Sequence, residues 1–202
     1  MNKLVIFGGG GHAKVVADIA MKNGFEIAGF LDDNASVSSV IGYPILGKTD
    51  DCVNFKDTCA FAMGIGNNAV RKKLFEKYPD LEYPTLIHPT ASIGIEVKIG
   101  KGTVVMPYVI VNACAQVGDF SILNSASVIE HDCRVGDFCL IAPNVSMCGA
   151  SQTGDMVCLG AGSAVNPMVK ICDSVTVGSG AVVIKDITQS GTYIGVPAKK
   201  IN

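Results

Sequence analysis

In the stretch "SVIEHDCRVGDF", Ser127 to Phe138, a histidine stands between two acids inside a run that is otherwise small, apolar and punctuated by glycine. Imidazole is the side chain best matched to taking a proton near neutral pH. A carboxylate bonded to its second nitrogen fixes the tautomer and raises its basicity, the logic of a triad without a covalent nucleophile. His131 is therefore a candidate general base, with Glu130 and Asp132 both adjacent in sequence. A second stretch that can do chemistry is "GGGGHA", Gly8 to Ala13, which satisfies G-x-G-x-x-A, with Asp32 about 20 residues on. Backbone N–H groups at such a loop and helix start bind a pyrophosphate. A dinucleotide needs two mononucleotide halves and only one fits before Ile87, so the loop points to a nucleotide sugar ahead of NAD. A purely structural turn is the remaining alternative.

The elements that position His131 follow from a strict period. From Ile87 onward the chain divides into 17 hexads, of which 15 begin with Ile, Val or Leu, only Met147 and Thr153 departing. Seven hexads carry glycine second, and the fifth place holds only Ala, Val, Thr, Ser, Cys or Ile. Helices repeat near 3.6 and strands near 2, so a period of six indicates a hexapeptide parallel β-helix. Three strands and three turns make a coil of about 18 residues, and the hexads supply nearly six coils. The glycines are expected at corners whose conformation a β-carbon resists. His131 is third in its hexad, which places it near a corner, pointing outward. Cys133 and Cys139 fall on the small fifth position and read as core filler.

The first 86 residues alternate differently. "KLVIFG" is a strand, "HAKVVADIAMKNG" a helix with Val16, Ile19 and Ala20 inward, and "FEIAGFLDDN" and "CAFAMGIG" are strands. "NNAVRKKLFEKYP" is a helix opened by Asn67 or Asn68. The pattern predicts a small parallel sheet with helices on its faces, an α/β Rossmann-like half domain over 1–80, followed by the β-helix with a C-terminal tail over 81–202. A net charge of -2 and a charged fraction of 17% offer no basic surplus for nucleic acid. No stretch has the length of a signal or membrane span, and eight cysteines without a C-x-x-C pair read as reduced thiols of a soluble cytoplasmic protein.

The blocks "GGGGHAKVV", "FLDD", "GIGNN", "MPYVIVNA", "LNSASVIEHDC" and a terminal "GVPAK" occur in one order. This set resembles the NeuD/PglD-like sugar acetyltransferases, hexapeptide-repeat enzymes, over essentially the whole chain. The resemblance implies a left-handed coil, acetyl-CoA as cosubstrate without a metal, and a homotrimer with acetyl-CoA between neighbouring subunits. It implies that Gly11, His12, Ala13, Asp32, Asp33 and Gly66 hold the nucleotide sugar and that Asn124 lies near the acceptor. His131 matches the family's base and Asp132 its acidic partner. Ala161 and Ser179 would meet pantetheine. Leu140 stands where close relatives carry a second histidine beside the cofactor, so oxyanion stabilisation is left to backbone N–H groups. The substrate implied is a UDP-linked amino sugar, a 4-amino-4,6-dideoxy sugar, acetylated on nitrogen. The alternatives are O-acetylation of a sialic acid and a non-catalytic sugar-nucleotide scaffold. A zinc enzyme of the γ-carbonic anhydrase type needs three ligands, and the β-helix offers only His88 and His131.

Overall fold

The computed structural model describes residues 1–34 and 36–201. It divides into two compact units, Met1–Ile87 and His88–Asn202. The first holds strands β1 (Lys3–Phe7), β2 (Glu26–Leu31), β3 (Ser39–Val40), β4 (Tyr43–Gly47) and β5 (Ala60–Met63), with helices α1 (Gly11–Lys22) and α2 (Asn68–Lys77). The sheet order is β3-β4-β2-β1-β5. Central β1 pairs in parallel with β2 and β5, and burial on both faces explains its unbroken apolar run. Helix α1 buries Ala13, Val16, Ala17, Ile19 and Ala20. Helix α2 starts at Asn67, whose Oδ1 accepts from Val70 N at 3.1 Å. The antiparallel pair β3–β4 has no counterpart in the sequence pattern, because Gly42, Pro44 and Gly47 interrupt it as a loop would.

The second unit is a parallel β-helix with three faces. Its two-residue strands pair 18 residues apart, as in Ile110↔Val128, Gln116↔Arg134 and Ile122↔Leu140. First-position side chains stack into an internal ladder in which Val105, Val111, Leu123, Ile129, Ile141 and Leu159 are fully buried. Each contributes about 1.5–3 kcal/mol relative to exposure. Four of the fifth-position residues satisfy corner carbonyls, whereas Ser127 Oγ and Ser163 Oγ have no hydrogen-bond partner among the described residues. Thr103 Oγ1 donates to Gly118 O at 2.7 Å, Ser121 Oγ to Gly136 O at 2.8 Å, and Cys139 Sγ to Gly154 O at 3.2 Å. Cys133 Sγ likewise donates to Cys148 O at 3.2 Å, so these thiols are core residues standing where serine also serves.

The corners meet the expectation for glycine only in part: Gly102, Gly162 and Gly180 are left-handed there, with φ of 64°, 66° and 68°. Left-handed conformations fall on the fourth hexad position, held by residues as varied as Glu96, Tyr108, Phe120, Asp132 and Asn144. The second-position glycines have no such φ; they are small because the next coil passes close. A Cβ on Gly94 would lie 2.7 Å from Ala113 N, and one on Gly160 would lie 2.6 Å from Ser179 N. One corner carries a ladder of carboxylates: Asp119, Asp137, Asp155 and Asp173 each accept a backbone N–H from the preceding coil at 2.7–3.0 Å.

The faces differ in chemistry. Outward residues of the first face are Ser92, Ile110, Val128, Ser146, Ala164 and Val182, none charged. The second presents Lys98, Gln116, Arg134, Gln152 and Lys170. The third is extended by Gly191–Ile194 and Lys199–Ile201. Among the described residues no helix is long and apolar enough to cross a membrane.

Candidate active site

His131 occupies the corner between strands Val128–Ile129 of the first face and Arg134–Val135 of the second. The left-handed φ of 59° at Asp132 folds its carboxylate back, and Oδ2 meets His131 Nδ1 at 2.9 Å. Both side chains are 62% exposed, so the pair faces solvent. With Nδ1 donating to the carboxylate, Nε2 is left as the acceptor for a proton. Glu130 is engaged elsewhere, its Oε2 accepting from Asn112 Nδ2 at 2.9 Å one coil away. The imidazole thus meets Asp132, the acid that the resemblance implied, and not Glu130.

Asn124, Ala161 and Ser179 belong to another edge, between the third and first faces. Ala161 and Ser179 are exposed, small and one coil apart, leaving the main chain open to a long thin ligand. Asn124 Oδ1 accepts from Ser125 N at 2.8 Å. Leu140 is half-buried on the third face, paired with Ile122 and Cys158. Within one chain, then, His131 and Asp132 are brought together, whereas Asn124, Leu140, Ala161 and Ser179 are not brought to them. His88 is buried with Nδ1 2.8 Å from Thr90 Oγ1. Among the described residues no group of three or more His, Cys, Asp or Glu is placed to hold a metal.

The N-terminal unit contains a cavity of about 630 Å³. Asp32 and Asp33 line it, as does Gly8. Asp32 also holds the glycine loop, Oδ2 accepting from Gly9 N at 2.6 Å, while Asp33 Oδ1 accepts from Thr49 N at 2.8 Å. Gly11 and Gly66 are exposed outside the cavity lining, and buried Ala13 packs against the backbone at Gly64, where an added Cβ would approach to 2.6 Å. His12 is largely buried beside Arg71; burial first, then that guanidinium, push its imidazole down to about 4. Its Nε2 has no hydrogen-bond partner among the described residues.

Sequence reasoning passed over two features here. Buried Arg71 pins the "GIGNN" loop, donating to Ile65 O at 3.2 Å, Gly66 O at 2.8 Å and Asn68 Oδ1 at 2.9 Å. Val70, Lys73, Leu74 and Lys77 form one stripe of α2 along the cavity, joined there by Lys48. The i, i+3, i+4, i+7 spacing was the available signal.

The model of the PglD N-terminal domain matches residues 3–78. The acetyltransferase domain of PglB from Neisseria gonorrhoeae, known also with acetyl coenzyme A, is 34% identical at a TM-score of 0.94, with 100% of each chain covered in the first of these structures. PerB from Caulobacter crescentus, solved with CoA and GDP-perosamine, is 35% identical at a TM-score of 0.93, with 98% of this chain and 97% of that one covered. The chain belongs to the NeuD/PglD-like sugar acetyltransferases. It is similar too to UDP-N-acetylbacillosamine N-acetyltransferase of Bacillus subtilis, 31% identical over 52% of each protein. The chain spans between 23% and 84% of the length of the curated relatives it matches.

Proposed function

We propose that this acetyltransferase moves the acetyl group of acetyl-CoA onto the amine of a nucleotide-linked amino sugar, in the cytoplasm, with His131 as general base. The observation that carries the reading is the His131–Asp132 pair at 2.9 Å on an exposed corner of the β-helix. The amine nitrogen attacks the thioester carbonyl carbon while Nε2 takes its proton. The C–N bond forms, the C–S bond breaks, and the proton passes to the departing CoA thiolate. Histidine variants of the Caulobacter crescentus enzyme were solved with CoA and GDP-perosamine, which supports a histidine in such chemistry. The N-terminal cavity suits the nucleotide: Leu31, Ile65, Val70 and Leu74 give apolar walls for a base, and Lys48 and Lys73 give cations for phosphates.

The working unit in this reading is a homotrimer. The uncharged first face lies between the His131 edge and the Ala161–Ser179 edge, so copies joined through it set one chain's base beside its neighbour's cofactor edge. That arrangement reunites residues that one chain keeps apart. For the sugar, a UDP-linked 4-amino-4,6-dideoxy sugar is preferred on the likeness of the "IEHDC" and "GIGNN" blocks, while PerB with GDP-perosamine keeps a guanine nucleotide as the second reading. The experiment is a panel of UDP- and GDP-linked 4-amino-4,6-dideoxy sugars with free sialic acids, each incubated with enzyme and acetyl-CoA and read by mass spectrometry. A gain of one acetyl on an amine is expected; acetylation of sialic acid alone would replace N-transfer by O-transfer, and no turnover of any would favour a binding scaffold.

A further inference from the structure

His131 and Gly149 hold the third position of successive coils on one edge, and Ala150 N donates to His131 O at 2.9 Å to join them. Gly149 is not in the left-handed region; in its corner that conformation belongs to Ala150, with φ 58°. Backbone geometry therefore admits any residue at 149. What excludes a side chain is the imidazole. An ideal Cβ on Gly149 would lie 2.7 Å from Nε2, 2.8 Å from Cε1 and 3.5 Å from Cδ2 of His131, and its three nearest neighbours are all atoms of that ring. Second-position Gly94, Gly136 and Gly160 are different, since their missing Cβ atoms first meet the main chain of the next coil.

We infer that Gly149 is a positioning residue for His131: its bare Cα is the surface on which the Nε2–Cε1 edge of the imidazole rests. A ring that is 62% exposed and held at Nδ1 by a single carboxylate has room to swing. The neighbouring coil limits that swing and keeps Nε2 aimed at the acceptor. A methyl at 149 displaces the ring and not the backbone, because the ring is the far end of an exposed side chain. A displacement of about 1 Å in a catalytic group is enough to cost on the order of 10²-fold in rate.

The inference rests on His131 acting as the base, so the experiment separates the two. Gly149→Ala, His131→Ala and the double variant are compared with the wild type, using acetyl-CoA with GDP-perosamine and a UDP-linked 4-amino-4,6-dideoxy sugar as acceptors. Gly149→Ala keeps the backbone N–H, so any oxyanion donor at 149 survives. It is expected to lower kcat by roughly 10–100-fold, to leave the KM for acetyl-CoA within about twofold, and to preserve the circular dichroism spectrum. In the His131→Ala background the same change is expected to have no further effect. Ring nitrogen resonances, read without acceptor, are expected to shift for His131 and not for His88. An unchanged kcat, an equal loss in both backgrounds, or unmoved His131 resonances would overturn the inference while leaving the base assignment standing. A fully active His131→Ala variant would overturn the base assignment itself.

Discussion

At the scale of single residues, the two acids beside His131 have unequal tasks. Asp132 holds the ring at 2.9 Å and Glu130 holds Asn112 at the same distance, one coil away. Asp132→Asn should therefore reduce kcat/KM by about 10–100-fold, because the amide stabilises the imidazolium poorly and permits the wrong tautomer. Glu130→Gln should stay within a few-fold of the wild type. Steady-state rates of the two variants side by side check this, and equal losses would reassign the partner. The pair was legible because its members are adjacent in sequence. Its geometry was not legible from the residue types of "EHDC" themselves; only the family resemblance set Asp132 ahead of Glu130.

His12 carries a separate prediction, for stability. Its imidazole is pushed down to about 4 from an ordinary 6.5, first by burial and second by Arg71. The folded state favours the neutral ring, so its contribution is complete above pH 6.5 and is lost as the pH falls toward 4. The loss amounts to roughly 3 kcal/mol across that window. Urea unfolding of the wild type and His12→Gln between pH 7 and 4.5 should show the wild type losing stability relative to the variant. Parallel curves would remove His12 as the cause.

Among elements, the hexad frame was readable because every coil repeats the same burial requirement at its first and fifth positions. The corners were not. Their left-handed residues are Gly102, Gly162 and Gly180 together with Glu, Tyr, Phe, Asp, Met and others, a mixture without a compositional signature, whereas the second-position glycines answer to close passage of the next coil. The aspartate ladder was hidden in "VGDF", "VGDF", "TGDM" and "ICDS", a repeat whose meaning needs the 18-residue stacking to be known. The N-terminal cavity, proposed above for the nucleotide, was only half legible: Asp32 follows a motif, but Lys48 and Lys73 reach it from elements far apart in the chain. The ladder is testable. Asp137→Ala removes the acceptor of Asp119 N and should cost about 1.5–3 kcal/mol in urea unfolding, with Asp137→Asn intermediate. An unaltered unfolding midpoint for Asp137→Ala would show that the corner amide is satisfied without the carboxylate.

For the molecule as a whole, one chain carries the proposed base and the proposed cofactor edge on opposite borders of an uncharged face, so in the trimer proposed above assembly is part of the chemistry. In a cyclic trimer each site takes His131 from one subunit and Ala161 with Ser179 from the next. His131→Ala lacks the base. Ala161→Trp, at an exposed position, keeps the fold but blocks the edge. Each variant alone should be inactive. Co-expressed in equal amounts they form mixed trimers in which half of the bases meet an intact edge half of the time, so activity should return to about a quarter of the wild-type value. Light scattering of the same sample should report about three times the 21.0 kDa chain. A site contained within one protomer would show no recovery above either parent, since every subunit would then carry its own defect.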